Sequence, residues 1–126
     1  IMPLYAAIPE KWTSQMTHVC DFEVDLGWRR QYCGIFEAKV NGVTYYLLEN
    51  QYYFGRRGFY GHFDDAERFA FFSKAVLESL LHLNWYPDVI HANDWQSALS
   101  IVLLKTEYAH IERLAAIKTV YTIRSI

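Results

Sequence analysis

The sequence predicts an α/β domain organised around a parallel sheet, and three observations carry that expectation. From residue 64 onward the pattern runs helix, strand, helix, strand, the order that right-handed βαβ crossovers produce. The two strands in this half, Asp88-Val89-Ile90-His91-Ala92 and Lys118-Thr119-Val120-Tyr121-Thr122-Ile123, are short apolar or β-branched runs suited to a parallel sheet. With 126 residues, 52% hydrophobic and 21% charged, the chain falls within one globular domain and has enough apolar material for a core.

The elements follow in order. Ile1-Met2-Pro3-Leu4-Tyr5 reads as the tail of a strand running into a loop. Pro9 stands where the first turn of a helix tolerates proline, so residues 9 to 16 are expected to form a short helix. Val19 to Leu26 alternates apolar and polar residues, Gly27 interrupts, and Trp28 to Phe36 resumes the extended pattern. Asn41-Gly42 is a turn dipeptide because both residues accept the positive φ of a type I′ hairpin. Residues 19 to 50 therefore form a strand meander ending at Val43-Thr44-Tyr45-Tyr46-Leu47-Leu48.

Gln51 to His62, rich in aromatics and with glycines at 55, 58 and 61, reads as a loop. Asp64 or Asp65 caps a helix in which Phe69, Phe72, Val76, Leu77, Leu80 and Leu83 recur at helical spacing until Asn84 and Pro87 end it. After the strand at 88 to 92, a second helix runs from Trp95 to Lys105 with Ala98, Leu99, Val102 and Leu103 on one side. Glu107 to Ala116 is a polar helical or loop stretch before the last strand. Both ends read as cut, so the chain is expected to be an incomplete piece of its domain.

Several function classes are disfavoured. A formal charge of −2, without blocks of like charge, supplies no basic field for a phosphate backbone, so no nucleic-acid partner is expected. The longest uncharged stretch, Trp95 to Leu104, is far shorter than the ~20 apolar residues that span a bilayer, and a signal peptide is not expected. No membrane partner and a reducing cytoplasm are the resulting expectations. Cys20 and Cys33 lack metal or redox spacing and read as small apolar residues in neighbouring strands. Neither a nucleophile elbow nor a P-loop occurs, and the glycine spacing of the 51 to 62 loop is wrong for a dinucleotide-binding turn.

Ligands of open parallel sheets bind beyond the carboxyl ends of the strands, which singles out two segments. Asn93-Asp94-Trp95-Gln96 follows the strand at 88 to 92 and sets amide, carboxylate, indole and amide side by side. Sugar hydroxyls and sugar faces call for that combination of hydrogen-bonding groups and an apolar ring. Asp94 can alternatively cap the following helix, and His91 with Asp94 makes only two candidate metal ligands, so no metal site is expected. The second segment is Thr122-Ile123-Arg124-Ser125 at the end of the last strand, where Arg124 can hold a phosphate or carboxylate or stand as a solvated charge. The tyrosines and the Arg56-Arg57 pair of the long loop suit sugar stacking, single-stranded nucleic acid, or packing against a partner surface.

Four blocks, in order, resemble the bacterial glycogen synthase and plant starch synthase family: Ile8-Pro9-Glu10-Lys11, residues 27 to 34 (GWRRQYCG), residues 64 to 73 (DDAERFAFFS) and residues 87 to 96 (PDVIHANDWQ). The resemblance covers nearly the whole chain. It implies part of the N-terminal, acceptor-side domain of a GT-B glycosyltransferase, with Rossmann-like parallel sheets and a cleft between two domains. It further implies retaining transfer of glucose from ADP-glucose to the non-reducing end of an α-1,4-glucan, with no metal or other cofactor.

By position, Asp94 matches the family's active-site aspartate, with Asn93, Trp95 and Gln96 beside it. Arg124-Ser125 stands where the family has His-Asn, the histidine being a donor-sugar contact. That departure leaves open a rival reading, a glucan-binding or assembly module with a degenerate site. The opening strand, its Lys-x-Gly-Gly-Leu loop and the whole C-terminal domain of the family are not in the sequence, so the chain alone is expected to be inactive. The resemblance also places the missing strand between the strands at 43 to 48 and 88 to 92. Two bare sheet edges and self-association through them are the expected consequence.

Overall fold

The computed structural model describes residues 1 to 124. Two compact units make up the chain, Ile1–Arg68 and Phe69–Ile126. The first is built on a four-stranded sheet of β1 (Met2–Pro3), β2 (Thr17–Asp25), β3 (Arg30–Val40) and β4 (Val43–Glu49), in the order β1-β4-β3-β2. β2, β3 and β4 are antiparallel, the meander expected from the alternation, and β1 joins parallel to β4 through Met2↔Leu47 and Pro3↔Leu48. The edge of β4 expected to be bare is therefore occupied at those positions by β1, whose two residues are too few to be placed in a sheet from pattern alone.

The β3–β4 hairpin turns at Asn41 (φ 50°) and Gly42 (φ 79°), with Val40 opposite Val43, as a type I′ turn requires. Side chains of alternate residues of β2 and β3 fill the core, Phe22 and Val24 from one and Cys33 and Ile35 from the other, and β4 buries the adjacent Leu47 and Leu48. Cys20 and Cys33 sit in these neighbouring strands as free thiols. Helix α1 is confined to Glu10–Thr13, shorter than the stretch from 9 to 16 expected from Pro9.

The loop expected at 51 to 62 begins instead with a one-turn helix, α2 (Gln51–Phe54). Asn50 caps it, its side-chain oxygen accepting from Tyr53 N at 2.9 Å, while Tyr53 and Phe54 are fully buried. Arg56 turns inward to Asp64, donating from both terminal nitrogens at 2.5 and 2.9 Å. Arg68 is fully buried and donates to the Tyr53 carbonyl at 2.7 Å and to Asp65 at 2.8 Å. Asp65 in turn accepts from the backbone N–H groups of Gly61 and His62. Of the arginine pair read as a contact surface, only Arg57 is exposed.

Helix α3 spans Asp65–Leu83 and continues into the second unit. Its apolar spacing holds: Phe69, Phe72, Val76, Leu77 and Leu80 are all buried. Asn84 (φ 50°) ends it, with Trp85 N donating to the Leu80 carbonyl and Asn84 N to that of Leu81, the two bonds of a Schellman cap. β5 (Val89–Asn93), α4 (Trp95–Lys105), α5 (Glu112–Ala115) and β6 (Lys118–Thr122) follow. β5 and β6 pair in parallel from Val89↔Lys118 to Asn93↔Thr122.

Leu77, Leu80, Leu104, Tyr108, Leu114 and Ile117 form the core of this unit. The face expected for α4 differs, since Ser100 and Leu104 are buried whereas Leu99 and Val102 are exposed. α4 is apolar nearly all round, which leaves little periodicity to read. Burial of Ser100 becomes favourable because its hydroxyl donates to the Ser73 carbonyl at 3.0 Å. No helix among the described residues is long and apolar enough to cross a membrane.

Candidate functional site

The parallel register brings Asn93 opposite Thr122, so the segments singled out by sequence meet at the carboxyl ends of β5 and β6. Asp94 N donates to the Thr122 carbonyl at 2.9 Å, one step beyond the last strand pair. The chain then turns sharply into α4. Asp94 takes φ 60° and ψ −178°, a combination normally confined to glycine.

Asp94 occupies the N-cap position of α4, yet its side chain makes no capping bond. Its Oδ1 accepts instead from the backbone N–H of Arg124 at 2.6 Å. Arg124 is exposed, and its Nε donates to Asn93 Oδ1 at 3.2 Å. Asn93, Asp94 and Arg124 are thus joined by hydrogen bonds across the two strands. Two residues back along β5, His91 Nε2 lies 2.7 Å from Thr122 Oγ1. Among the described residues, no three His, Cys, Asp or Glu side chains are grouped as metal ligands would be.

Trp95 opens α4 half-exposed, its ring edge-on to Phe69 with centroids 5.0 Å apart. Gln96 is partly buried and accepts at its carbonyl from the Ser73 hydroxyl at 3.4 Å. The indole therefore offers a supported apolar surface beside a carboxylate and an amide, the equipment for holding a sugar ring by its face and its hydroxyls. Ser125 lies outside the described residues.

Thr122, from the second segment singled out by sequence, supplies the carbonyl that receives Asp94 N. Sequence reasoning missed two residues of this arrangement: Ser97 donates its hydroxyl to the Asn93 carbonyl at 2.7 Å, and Phe69 backs Trp95. Ser97, three residues after Asp94, carried a local cue, because a hydroxyl in the first helical turn can reach back to the strand. Phe69 carried none, since its contact with Trp95 spans 26 residues.

The sequence profile of the starch synthase catalytic domain matches residues 1–126. The chain belongs to that family. It is 48% identical over 126 residues to a glycogen synthase of Caldicellulosiruptor saccharolyticus, covering 100% of this chain and 26% of that protein. A glycogen synthase of Clostridium novyi is 46% identical over 127 residues with the same coverage of each chain.

Among solved structures, the catalytic domain of starch synthase IV from Arabidopsis thaliana, bound to ADP and acarbose, superimposes with a TM-score of 0.88 at 29% identity. That match covers 98% of this chain and 26% of the other. The chain thus spans about a quarter of the length of the relatives it matches. The mixed α/β fold is of the GT-B type found in this glycosyltransferase family.

Proposed function

We propose that this chain forms part of the N-terminal, acceptor-side domain of a retaining glycosyltransferase that moves glucose from ADP-glucose to the non-reducing end of an α-1,4-glucan. The observation that carries the proposal is the convergence of Asn93, Asp94, Trp95 and Arg124 at the carboxyl ends of β5 and β6 in a starch synthase family chain. Asp94 is the candidate catalytic residue, with Asn93, Trp95, Gln96, Arg124 and Ser125 as candidate substrate contacts. Sugar and nucleotide sugar are the ligands, and no metal or other cofactor enters the step.

A chimera tests this: the 126 residues replace the matching segment of the Caldicellulosiruptor saccharolyticus relative, and glucose transfer from ADP-glucose to glycogen is measured. Transfer above a segment-deleted control is expected, and its absence together with absent glucan binding sinks the reading. The 126 residues alone are expected to transfer no glucose, because stabilising the departing diphosphate is a large electrostatic requirement and the resemblance assigns those groups to missing segments.

One observation favours a second reading. Arg124 stands at the family's histidine position and already engages Asn93, an amide that would otherwise meet sugar hydroxyls. In that reading the chain binds glucan without catalysis. Arg124→His in the chimera separates the two: a large gain in rate indicates a weakened enzyme, and inactivity of both forms with glucan binding retained indicates a binding module.

A further inference from the structure

The β2–β3 turn, residues 26 to 29, holds one large ring out in water. Leu26 N donates to the Arg29 carbonyl at 2.9 Å, and Gly27, at φ 95°, donates its N–H to Asp25 Oδ1 at 2.8 Å. Arg29 then reaches back to the body of the unit. Its Nη1 lies 3.2 Å from Glu67 Oε2, and its guanidinium is also hydrogen-bonded to the Tyr52 side chain. Between these anchors Trp28 is 68% exposed. Tyr52, from α2, is 51% exposed and has the Arg56 guanidinium 4.9 Å from its ring centre, while that guanidinium donates to Asp64. Trp28 and Tyr52 are thus two rings braced through neighbouring arginines, and a ligand that stacks on them orders little that is not already ordered.

Position and charge say what such a ligand is. β4 runs parallel to β1 and passes through Asn50 into α2, and β3, antiparallel to β4, starts from that same end. Both rings therefore stand at the carboxyl end of the parallel pair, where open α/β sheets receive ligands. Of Arg29, Arg30, Arg56 and Arg57, only the last lacks a carboxylate partner among the described residues, the others being paired with Glu67, Asp25 and Asp64. A phosphate backbone would have to compete with those carboxylates, whereas an uncharged sugar stacks on the rings and leaves every pair in place. Of the ligands the aromatic segment suits by sequence, sugar is the one its ion pairs favour.

We propose that Trp28 and Tyr52 form a second sugar platform, which holds a stretch of the α-1,4-glucan other than the end undergoing transfer. This rests on the reading of the chain as the acceptor-side domain of a glucan synthase, and it adds a preference for long acceptors. A polymer that also reaches the platform gains a second hold, and a short oligosaccharide gains none.

Two readouts test the platform. In native gels cast with glycogen, the 126-residue chain is expected to be retarded, with its dissociation constant raised about tenfold by Trp28→Ala or Tyr52→Ala and held within about threefold by Trp28→Phe, which keeps a ring. Trp28→Ala is expected to keep the parent's circular dichroism and unfolding midpoint, because its side chain lies largely in water, so its loss of retention reports on the ring. In the chimera, Trp28→Ala is expected to raise KM for glycogen about tenfold and to move KM for maltotriose by less than about twofold.

A parent chain that glycogen does not retard overturns the platform, as does retention indifferent to both alanine substitutions. Equal rises in KM for glycogen and maltotriose overturn it too, by placing Trp28 at the point of transfer, and so does tighter binding of oligothymidylate than of glycogen. An inactive parent chimera counts against the proposed function instead, and the gels still decide the platform.

Discussion

At the scale of single residues, the ion pairs that shape the approach to α3 make firm predictions. The Arg56 guanidinium, bonded to both oxygens of Asp64, holds that carboxyl below its usual value. Burial pushes Asp65 upward, but the N–H of Gly61, Arg68 and the N–H of His62 together outweigh it and bring Asp65 below its usual value too. A carboxyl whose folded pKa is depressed contributes stability above the unfolded value of about 4, and the contribution is lost as pH falls through the lower folded value. Acid unfolding is therefore expected to begin below about pH 4, and Arg56→Ala should move its onset upward. At neutral pH the same substitution is expected to cost about 1–3 kcal/mol in urea unfolding, because it strands a mostly buried carboxylate.

The cysteines separate by the same physics. Burial pushes the Cys33 thiol up to about 12, whereas Cys20 is partly exposed in the next strand and raised less. One thiol of the native chain should react with a thiol reagent at pH 8 and both after unfolding; rapid labelling of both in the native state would contradict the packing of β2 on β3. Their placement as packed strand residues was legible from sequence, since alternation alone puts them there. The inward turn of Arg56 was not, because an arginine beside exposed aromatics gives no sign of a carboxylate eight residues away.

Among the elements, the long regular ones were readable and the short ones were not. α3 and the β3–β4 hairpin declare themselves by period, by the stop at Asn84 and by the Asn41-Gly42 turn. α2 has only four residues, less than a period can reveal, although Asn50 ahead of it and Gly55 behind it were available as boundary cues. The buried face of α4 was misread because Ser100 goes inside on the strength of a hydrogen bond to α3 that no local pattern encodes.

Tyr108 tests the packing of the second unit. Burial first, and then its hydrogen bond to Glu78, push the phenol above its ordinary value. A raised folded pKa contributes stability that is fully present below the unfolded value of about 10 and is lost as pH rises beyond it. Tyr108→Phe should thus cost about 1 kcal/mol at neutral pH through the lost bond to Glu78. The gap from the parent should narrow at pH 10.5, and a gap that widens there would show that Tyr108 is not buried in the folded chain.

For the molecule as a whole, sheet edges set the expected behaviour. The candidate site needs only β5, β6 and the head of α4, which is why its position was readable from two strand ends in the sequence. What sequence could not supply was the strand order that decides which edges are open. β2 ends the four-stranded sheet, and its open side is guarded by Asp21, Glu23 and Asp25 and by a register shift between His18 and Cys20. β5 and β6 carry a single charge between them, the exposed Lys118 at the head of β6. They form a two-stranded parallel sheet among the described residues, with Val89 and Val120 each 47% exposed. Parallel sheets are ordinarily covered on both faces and seldom stop at two strands. We therefore propose that the chain self-associates through the β5–β6 sheet rather than through β2. Static light scattering should report a mass that rises with concentration, and Val89→Lys with Val120→Lys should shift it toward that of one chain, since lysine on an edge strand disfavours pairing. A concentration-independent monomer in the unsubstituted chain would refute association outright, while an assembly indifferent to both lysines but dispersed by Val19→Lys would move it to the β2 edge.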